Sequence, residues 1–297
     1  MKSSSTTGIV LVLCAAVLWG TTGTAQSFAT SGLSPYWVGA LRLAIASLFF
    51  CAYAAGRLGR RRLARELAGL PWWWALLAGA CMAGYNLAFF AGVRATGVAV
   101  GTALALGSGP VWAGFLQMLV ARKAPSAGWW LGTMLAVLGG VLMVLGRNGA
   151  VRADAAGIAL CLASGLAYAV YALVSKHLVG RSAPGSVTLA VFGMGTAIAL
   201  PMAWAWAGAP DIAGRGWLVV AFLGVVATGV AYLLFNTGLR GITAASGVSL
   251  ALMEPLTAFL LAIAVVGERP AASAFVGLAC VLAGLALVIR AEVRRQP

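Results

Sequence analysis

Charged side chains are scarce in this chain, and acidic ones are the scarcest. Only 9% of the 297 residues are charged, and 6 Asp+Glu stand against 20 Lys+Arg and a single histidine. A soluble domain carries about 25% charged residues. A chain with so little charge could not cover a water-facing surface, which excludes a soluble globular enzyme.

Motifs that carry enzyme chemistry are also absent. The sequence contains no GxxxxGK[ST] phosphate loop, no HExxH, no GxSxG and no CxxC pair among its 5 cysteines. We therefore expect no enzymatic activity, no cofactor and no metal. The net charge of +14 lacks the interleaved aromatic residues of an RNA-binding segment, so no nucleic-acid partner is expected either.

Apolar residues are abundant, at 62% of the chain with a mean hydropathy of +0.98. Spanning a bilayer takes about 20 apolar residues per helix. Ten such runs lie at 8–29, 36–55, 72–93, 97–120, 127–146, 155–175, 185–207, 215–237, 243–266 and 271–290. The first run is long enough to be a helix rather than a cleaved signal peptide. The sequence predicts an all-α integral membrane protein with ten transmembrane helices in the lipid bilayer.

The distribution of basic residues predicts the orientation of the chain. With the N-terminus in the cytoplasm, 14 Lys+Arg fall in cytoplasmic segments and 5 on the opposite side, and Arg42 lies within a span. Cytoplasmic loops carry an excess of Lys and Arg. We expect both termini to be cytoplasmic, in a bacterial-type inner membrane, and the protein to be a monomer.

The two halves of the chain resemble each other. Four pairs match at an offset of 145 residues: Pro110 with Pro255, Pro125 with Pro270, Gly132 with Gly277, and Gly139 with Gly284. Two further matches join Gly92-Val93-Arg94 to Gly238-Leu239-Arg240 and Gly8-Ile9 to Gly157-Ile158. Five helices per half is an odd number, so the second half enters the membrane from the opposite side. The pattern predicts inverted repeats over 1–148 and 149–297 around a central cavity, the arrangement of an alternating-access transporter. A duplicated but purely structural membrane protein is the alternative.

Short motifs in these positions resemble the EamA-type drug/metabolite transporter superfamily. They are Leu18-Trp19-Gly20, Pro35 with Leu41-Arg42, and Glu254-Pro255 with Gly267-Glu268 and Pro270. The resemblance covers essentially the whole chain and implies export of amino acids or other small metabolites, with the aromatic amino acid exporters most similar. The chain departs from the family at Lys123, which occupies the position corresponding to Glu268, so a carboxylate role there does not carry over to the first half.

Polar and aromatic residues recur at helical spacing on matching helices of the two halves. Such residues are costly in a membrane unless they face a partner or a water-filled cavity. The candidate pathway residues are Trp19, Thr22, Gln26, Tyr85, Asn86, Ser108, Trp112, Ser164, Tyr168, Tyr171, Tyr232, Asn236, Ser246 and Ser249. The alternative is that they bond to their own helices or fill the core. The tryptophans at span starts are expected to be interfacial anchors: Trp72, Trp73, Trp74, Trp129 and Trp130.

One cation and one carboxylate lie inside predicted spans. Arg42 could bind a substrate carboxylate, snorkel outward or pair with Glu254. Glu254 could carry protons, bind a substrate ammonium or stabilise the bundle. Pro110 and Pro255 are the expected hinges.

Together these features predict a transporter that exports amino acids, aromatic and neutral ones such as methionine and threonine, or related metabolites. A multidrug, nucleoside or sugar-nucleotide exporter of the same architecture is the alternative. A third hypothesis is a membrane enzyme or assembly factor, but the sequence contains no recognisable set of catalytic residues.

Overall fold

The computed structural model describes residues 4–28, 34–145, 154–212, 214–267 and 270–294. These residues are almost entirely helical, and no strand occurs among them. The predicted boundary between 148 and 149 lies outside the described residues, as does Glu268.

Eleven helices follow one another along the described chain. They are α1 (Ser5–Ser27), α2 (Pro35–Leu58), α3 (Arg60–Ala68), α4 (Trp72–Thr96), α5 (Val98–Ala121), α6 (Ala127–Leu145), α7 (Ala155–Val179), α8 (Pro184–Ala207), α9 (Arg215–Gly238), α10 (Ala244–Val266) and α11 (Ala272–Val293). Nine of them are long and apolar enough to cross a membrane, and α6 is a shorter apolar helix. The ten-helix prediction is thereby confirmed. The additional α3 is short and basic, and it buries only Leu63.

Side chains and glycines fix where several helices begin and end. Ser4 caps α1 by accepting a hydrogen bond from Thr7 N at 3.2 Å, and Asp154 caps α7 through Gly157 N at 3.0 Å. Such caps satisfy backbone N–H groups that have no intrahelical acceptor. Gly97 alone separates α4 from α5, with φ of +90°, a conformation that suits glycine. The connection predicted over residues 94–96 was therefore wrong, because these residues belong to α4.

Equivalent helices of the two halves make equivalent contacts at opposite ends of the bundle. Helix α1 packs on α9 and α10, and its repeat mate α7 packs on α4 and α5. A methyl group added to Gly8 would lie 2.7 Å from Gly238 O, and one added to Gly92 would lie 3.0 Å from Gly157 O. Gly8 and Gly157 are repeat mates, as are Gly92 and Gly238, so one close crossing occurs twice. This is the arrangement of inverted repeats.

Two further helix pairs each join a helix to its own repeat mate. Helix α6 packs along α11, and α2 packs on α8. In the α6–α11 seam, Gly132 faces Gly284 and Gly139 faces Gly277 so closely that an added methyl group would lie within 2.5–2.7 Å of a backbone oxygen. Small residues permit such backbone approach in membranes.

The second half contains helical irregularities that the described first half lacks. Helix α9 widens to a π-helical segment at Val225–Val230, and α10 does so at Ala262–Val266. Helix α10 is also interrupted by a turn at residues 251–252, just before Pro255. Proline removes a helical hydrogen bond and clashes with the preceding turn. Pro110, the repeat mate of Pro255, lies inside the continuous helix α5.

Candidate functional site

A cluster of aromatic side chains occupies the middle of the bundle, between the two halves. We call this the central cluster, and its members are Trp19, Tyr85, Tyr168, Tyr171, Tyr232 and Phe235. Trp19 is the hub, with ring centroids 4.9 Å from Tyr232 and 5.3 Å from Phe235. Tyr168 continues the cluster to Tyr85 at 5.4 Å. The rings come from α1 and α4 of the first half and from α7 and α9 of the second.

Several polar atoms of this region are buried without a hydrogen-bond partner among the described residues. They include Trp19 Nε1 and Tyr168 OH, and Trp112 Nε1 of α5 is likewise buried and unpaired. The Tyr171 hydroxyl, by contrast, accepts a hydrogen bond from Asn236 Nδ2 at 2.8 Å. Leaving a buried donor unpaired costs about 1–3 kcal/mol. Orphaned donors beside aromatic faces are what a site for an amphipathic ligand requires.

Arg42 approaches the central cluster from α2. Its Nε donates to Thr228 Oγ1 at 2.9 Å, and its two terminal nitrogens have no hydrogen-bond partner in the described part of the chain. Thr228 is buried in the π-helical segment of α9. A π-helical turn places a residue off the regular helical face, and such turns are frequent at functional sites. Thr228 therefore fixes one edge of the guanidinium and leaves the other edge available.

Glu254 lies on the other side of the same region, at the first turn after the break in α10. It is half-buried, and its carboxylate interacts electrostatically with Arg42 and with the phenols of Tyr85, Tyr168 and Tyr232. No ion pair within 4.0 Å joins it to Arg42. One cation and one carboxylate thus share the middle of the bundle without neutralising each other directly.

The structure brings about half of the predicted pathway residues to this region. Ser164 joins the set by donating to Tyr85 O at 3.1 Å, which ties α7 to α4. Asn86 is buried and donates to Met82 O of its own helix, as the alternative reading of polar residues anticipates. Thr22 and Gln26 continue the face of α1 beyond Trp19, and Gln26 is exposed. Ser108 donates to Ala105 O of its own helix.

Two predicted residues lie elsewhere. Ser246 and Ser249 are fully buried near the start of α10, where they bond to other helices rather than facing the central cluster. Sequence reasoning also missed Thr228 and Phe235. The second could have been found, because it lies three residues after Tyr232 and so shares its helical face.

Comparison with known proteins identifies the family. The profile of the EamA-like transporter family matches residues 6–145 and 155–290, one copy per half. The chain belongs to the EamA-like transporter family. A transporter is what the inverted repeats predicted, and the two matched segments coincide with the two sets of five helices.

The relatives of this EamA-like transporter carry general names. "Uncharacterized transporter YwfM" of Bacillus subtilis is 38% identical over 289 residues, covering 97% of this chain and 95% of the relative. An "uncharacterized transporter" of Archaeoglobus fulgidus is 33% identical over 136 residues, covering 45% of this chain and 48% of the relative. A solved structure titled "Crystal structure of protein" superposes with a TM-score of 0.84 at 19% identity, covering 99% of this chain and 100% of that one. It supports the fold.

One end of this EamA-like transporter contains hydrogen bonds between helices of the two halves. We call it the α3 end, since α3 and both described termini lie there. Glu292 of α11 is only 4% exposed and accepts from Thr243 N at 2.9 Å, from Thr243 Oγ1 at 3.1 Å and from Ser246 Oγ. Trp129 Nε1 donates to the same Ser246 Oγ at 3.1 Å. This chain of contacts joins the first half, through α6, to the second.

The connection between α9 and α10, residues 239–243, is clamped at the same end. Lys176 of α7 donates to Leu239 O at 2.5 Å, and Arg240 donates to Val179 O at 2.8 Å. Ser5 of α1 donates to Gly241 O at 3.4 Å. Trp129 is 3% exposed, so its predicted interfacial position was wrong, whereas Trp72, Trp73 and Trp74 are exposed as anchors would be.

Proposed function

We propose that this transporter exports neutral amino acids, aromatic ones and others such as methionine and threonine, or closely related metabolites. Export would cross a bacterial-type inner membrane by alternating access. The proposal rests on one observation: Arg42 and Glu254 flank the central cluster without forming an ion pair. A zwitterion presents a carboxylate to the free edge of Arg42 and an ammonium to Glu254.

The central cluster supplies the remaining recognition. Aromatic faces bind an apolar side chain, and orphaned polar atoms such as Trp19 Nε1 and Tyr168 OH hold the polar part in place. Because the cluster is made of rings rather than of small side chains, methionine and phenylalanine should bind better than threonine. A multidrug, nucleoside or sugar-nucleotide substrate is the competing proposal, and it needs no ammonium partner.

The closed α3 end supports alternating access. Its hydrogen bonds cross between the halves through Ser246 with Trp129 and Ser249 with Thr133, at 3.1 and 3.0 Å. At the opposite end, the halves are linked by Trp37 Nε1 to Gly208 O at 2.9 Å and by Thr96 Oγ1 with Cys161 Sγ at 4.0 Å, beside the close glycine contact between α4 and α7. A transporter closed at the α3 end must break these contacts to open there. In each half-cycle the contacts at one end break while those at the other end form.

Counterflow in proteoliposomes tests the substrate class. Vesicles loaded with unlabelled amino acid and diluted into labelled phenylalanine, methionine or threonine should accumulate label saturably. The Arg42→Ala variant should lose this flux, while Arg57→Ala, an exposed arginine on the same helix, should retain it. Flux of uridine or a sugar nucleotide with none of the amino acids would refute the proposed substrate. Lipid-linked products with no solute flux would favour an enzyme.

The proposed orientation has its own test. In a variant whose native cysteines are replaced, a cysteine at the exposed Arg61 of α3 marks the α3 end. A membrane-impermeant maleimide should label it in inverted membrane vesicles and leave it unlabelled in intact cells. The reverse result would invert the assignment of both termini to the cytoplasm.

A further inference from the structure

A surface cleft lies at the α3 end, outside the central cluster. It is enclosed by the start of α6 and the last turns of α11, and its volume is about 590 Å³. Its lining consists of Ser126, Ala127, Gly128, Leu287, Arg290, Ala291 and Arg294. Neither the proposed transport path nor the closure of the α3 end uses this cleft.

The cleft carries positive charge that no described residue neutralises. Arg290 and Arg294 are four residues apart, so they share one face of α11. Both are exposed, and neither guanidinium has a hydrogen bond or ion pair among the described residues. The one carboxylate between them in sequence, Glu292, is turned inward and bound by Thr243 and Ser246. The inward turn of Glu292 thus leaves two arginines facing the cleft.

The opposite wall of the cleft adds donors to these cations. Ala127 and Gly128 form the first turn of α6, whose N–H groups have no intrahelical acceptor. Arginine pairs with phosphate through two parallel hydrogen bonds. A phosphate held between the two arginines and this turn would accept hydrogen bonds from both walls of the cleft.

Below the cleft, the same two helices present an apolar surface. Leu131 and Leu138 of α6 are 63% and 60% exposed, and Leu282 of α11 is 50% exposed. Leu131 follows Gly128 by three residues, so the apolar face of α6 continues directly from the cleft. A ligand that contacts both the cleft and this apolar surface would therefore have a phosphate headgroup at the membrane surface and apolar chains along α6 and α11.

We propose that this cleft binds an anionic glycerophospholipid such as phosphatidylglycerol, with its headgroup phosphate between Arg290 and Arg294. Basic pockets between transmembrane helices bind such headgroups. In the orientation proposed above, the lipid comes from the cytoplasmic leaflet. The site depends on the protein lying in a membrane and does not depend on which solute it transports.

Lipid titration of the purified, detergent-solubilised protein tests the proposal. Native mass spectrometry should show phosphatidylglycerol retained in preference to phosphatidylcholine. The Arg290→Gln/Arg294→Gln variant should bind phosphatidylglycerol about 30-fold more weakly, since each basic residue near the surface contributes about a factor of five. Arg60→Gln/Arg61→Gln, which removes the same charge from α3 at the same end, should bind it as the parent does.

A second variant blocks the cleft without changing its charge. A Cβ atom added at Gly128 meets no other atom within 4 Å, so the backbone there accepts a side chain, and Gly128→Phe should fold and occlude the lipid. Gly56→Phe on α2, where a Cβ atom also has open space, is the matched control. Equal loss of binding in Arg60→Gln/Arg61→Gln or in Gly56→Phe would overturn the site, as would unchanged binding in the cleft variants. Displacement of the lipid by millimolar inorganic phosphate alone would also overturn it, because a free-anion site needs no apolar wall.

Discussion

Replacing Glu292 should open the α3 end of the transporter. Its carboxylate accepts two hydrogen bonds from Thr243 and one from Ser246, and Ser246 in turn accepts from Trp129 of the other half. In Glu292→Gln the side chain keeps its shape, but one acceptor oxygen becomes an NH₂ group that faces two hydroxyl donors. The contact that orients Ser246 toward Trp129 is then lost.

The magnitude follows from the charge of the acceptor. A hydrogen bond to a charged group contributes about 1.5–3 kcal/mol. Losing one such bond should destabilise the closed α3 end by about 1.5–3 kcal/mol, or roughly a 10- to 150-fold change in the conformational equilibrium. This holds only if the bond is absent when that end is open, because an interaction present in both states shifts nothing.

Cysteine accessibility measures the shift. A cysteine at Ala245, buried beside Gln117, should react slowly with a maleimide applied from the α3 side and much faster when Glu292→Gln is added. Asp154→Asn is the matched control, since it makes the same change at a carboxylate that caps α7 at the opposite end. Equal labelling rates with and without Glu292→Gln, in protein of unchanged thermal stability, would refute the closure assigned to Glu292.

Three further predictions concern the site and the helix seam. Glu254→Gln should flatten the pH dependence of amino acid flux if Glu254 carries protons, whereas an unchanged profile leaves it a binding or structural role. Thr228→Val should raise the KM for amino acids roughly tenfold, because Thr228 only positions the guanidinium of Arg42. Arg42→Ala, which removes the guanidinium itself, should raise the KM further. Equal KM values for both variants and the parent would contradict this. Gly139→Ala should lower stability by about 1–3 kcal/mol in a thermal melt, since its methyl group would lie 2.5 Å from Gly277 O, whereas Gly140→Ala, with open space, should not.

Hydropathy alone sufficed to locate the membrane helices, because a lipid-exposed backbone must satisfy its hydrogen bonds within a helix. It misjudged where they end. Arg94 and Thr96 continue α4, since charged and polar residues at the membrane surface cost a helix little. The basic segment before Trp72 also forms a helix, α3. Its Leu63 and Leu67 are one helical turn apart and share an apolar face, but the helix is too short and too polar to stand out in a search for membrane spans.

The face of each helix was predictable only where both halves agreed. Trp19 and Tyr168 lie at matching positions and meet at 6.3 Å. Ser246 and Ser249 show an equally regular spacing, yet α6 covers them with Trp129 and Thr133. Spacing reveals which residues share a face, but the rotation of a helix depends on close glycine contacts between distant parts of the chain.

Burial of Glu292 could not be predicted for a related reason. It lies among arginines at the end of α11, where composition indicates an exposed tail. The donors that bury it belong to Thr243 and Ser246, about 46–49 residues earlier. The carboxylate is stabilised in its buried position because the first turn of α10 places these donors beside it.

The glycine contacts of the α6–α11 seam are symmetric with respect to the two halves of the chain. Gly132 and Gly277 are repeat mates, as are Gly139 and Gly284, and the seam pairs Gly132 with Gly284 and Gly139 with Gly277. If the two halves exchange their conformations, each of these two glycine contacts is therefore replaced by the other, and the seam as a whole is unchanged. The contacts of α1 with α9 and α10 instead exchange with those of α7 with α4 and α5. We therefore expect the contacts of the seam to stay the same through the transport cycle, while those of α1 and α7 change.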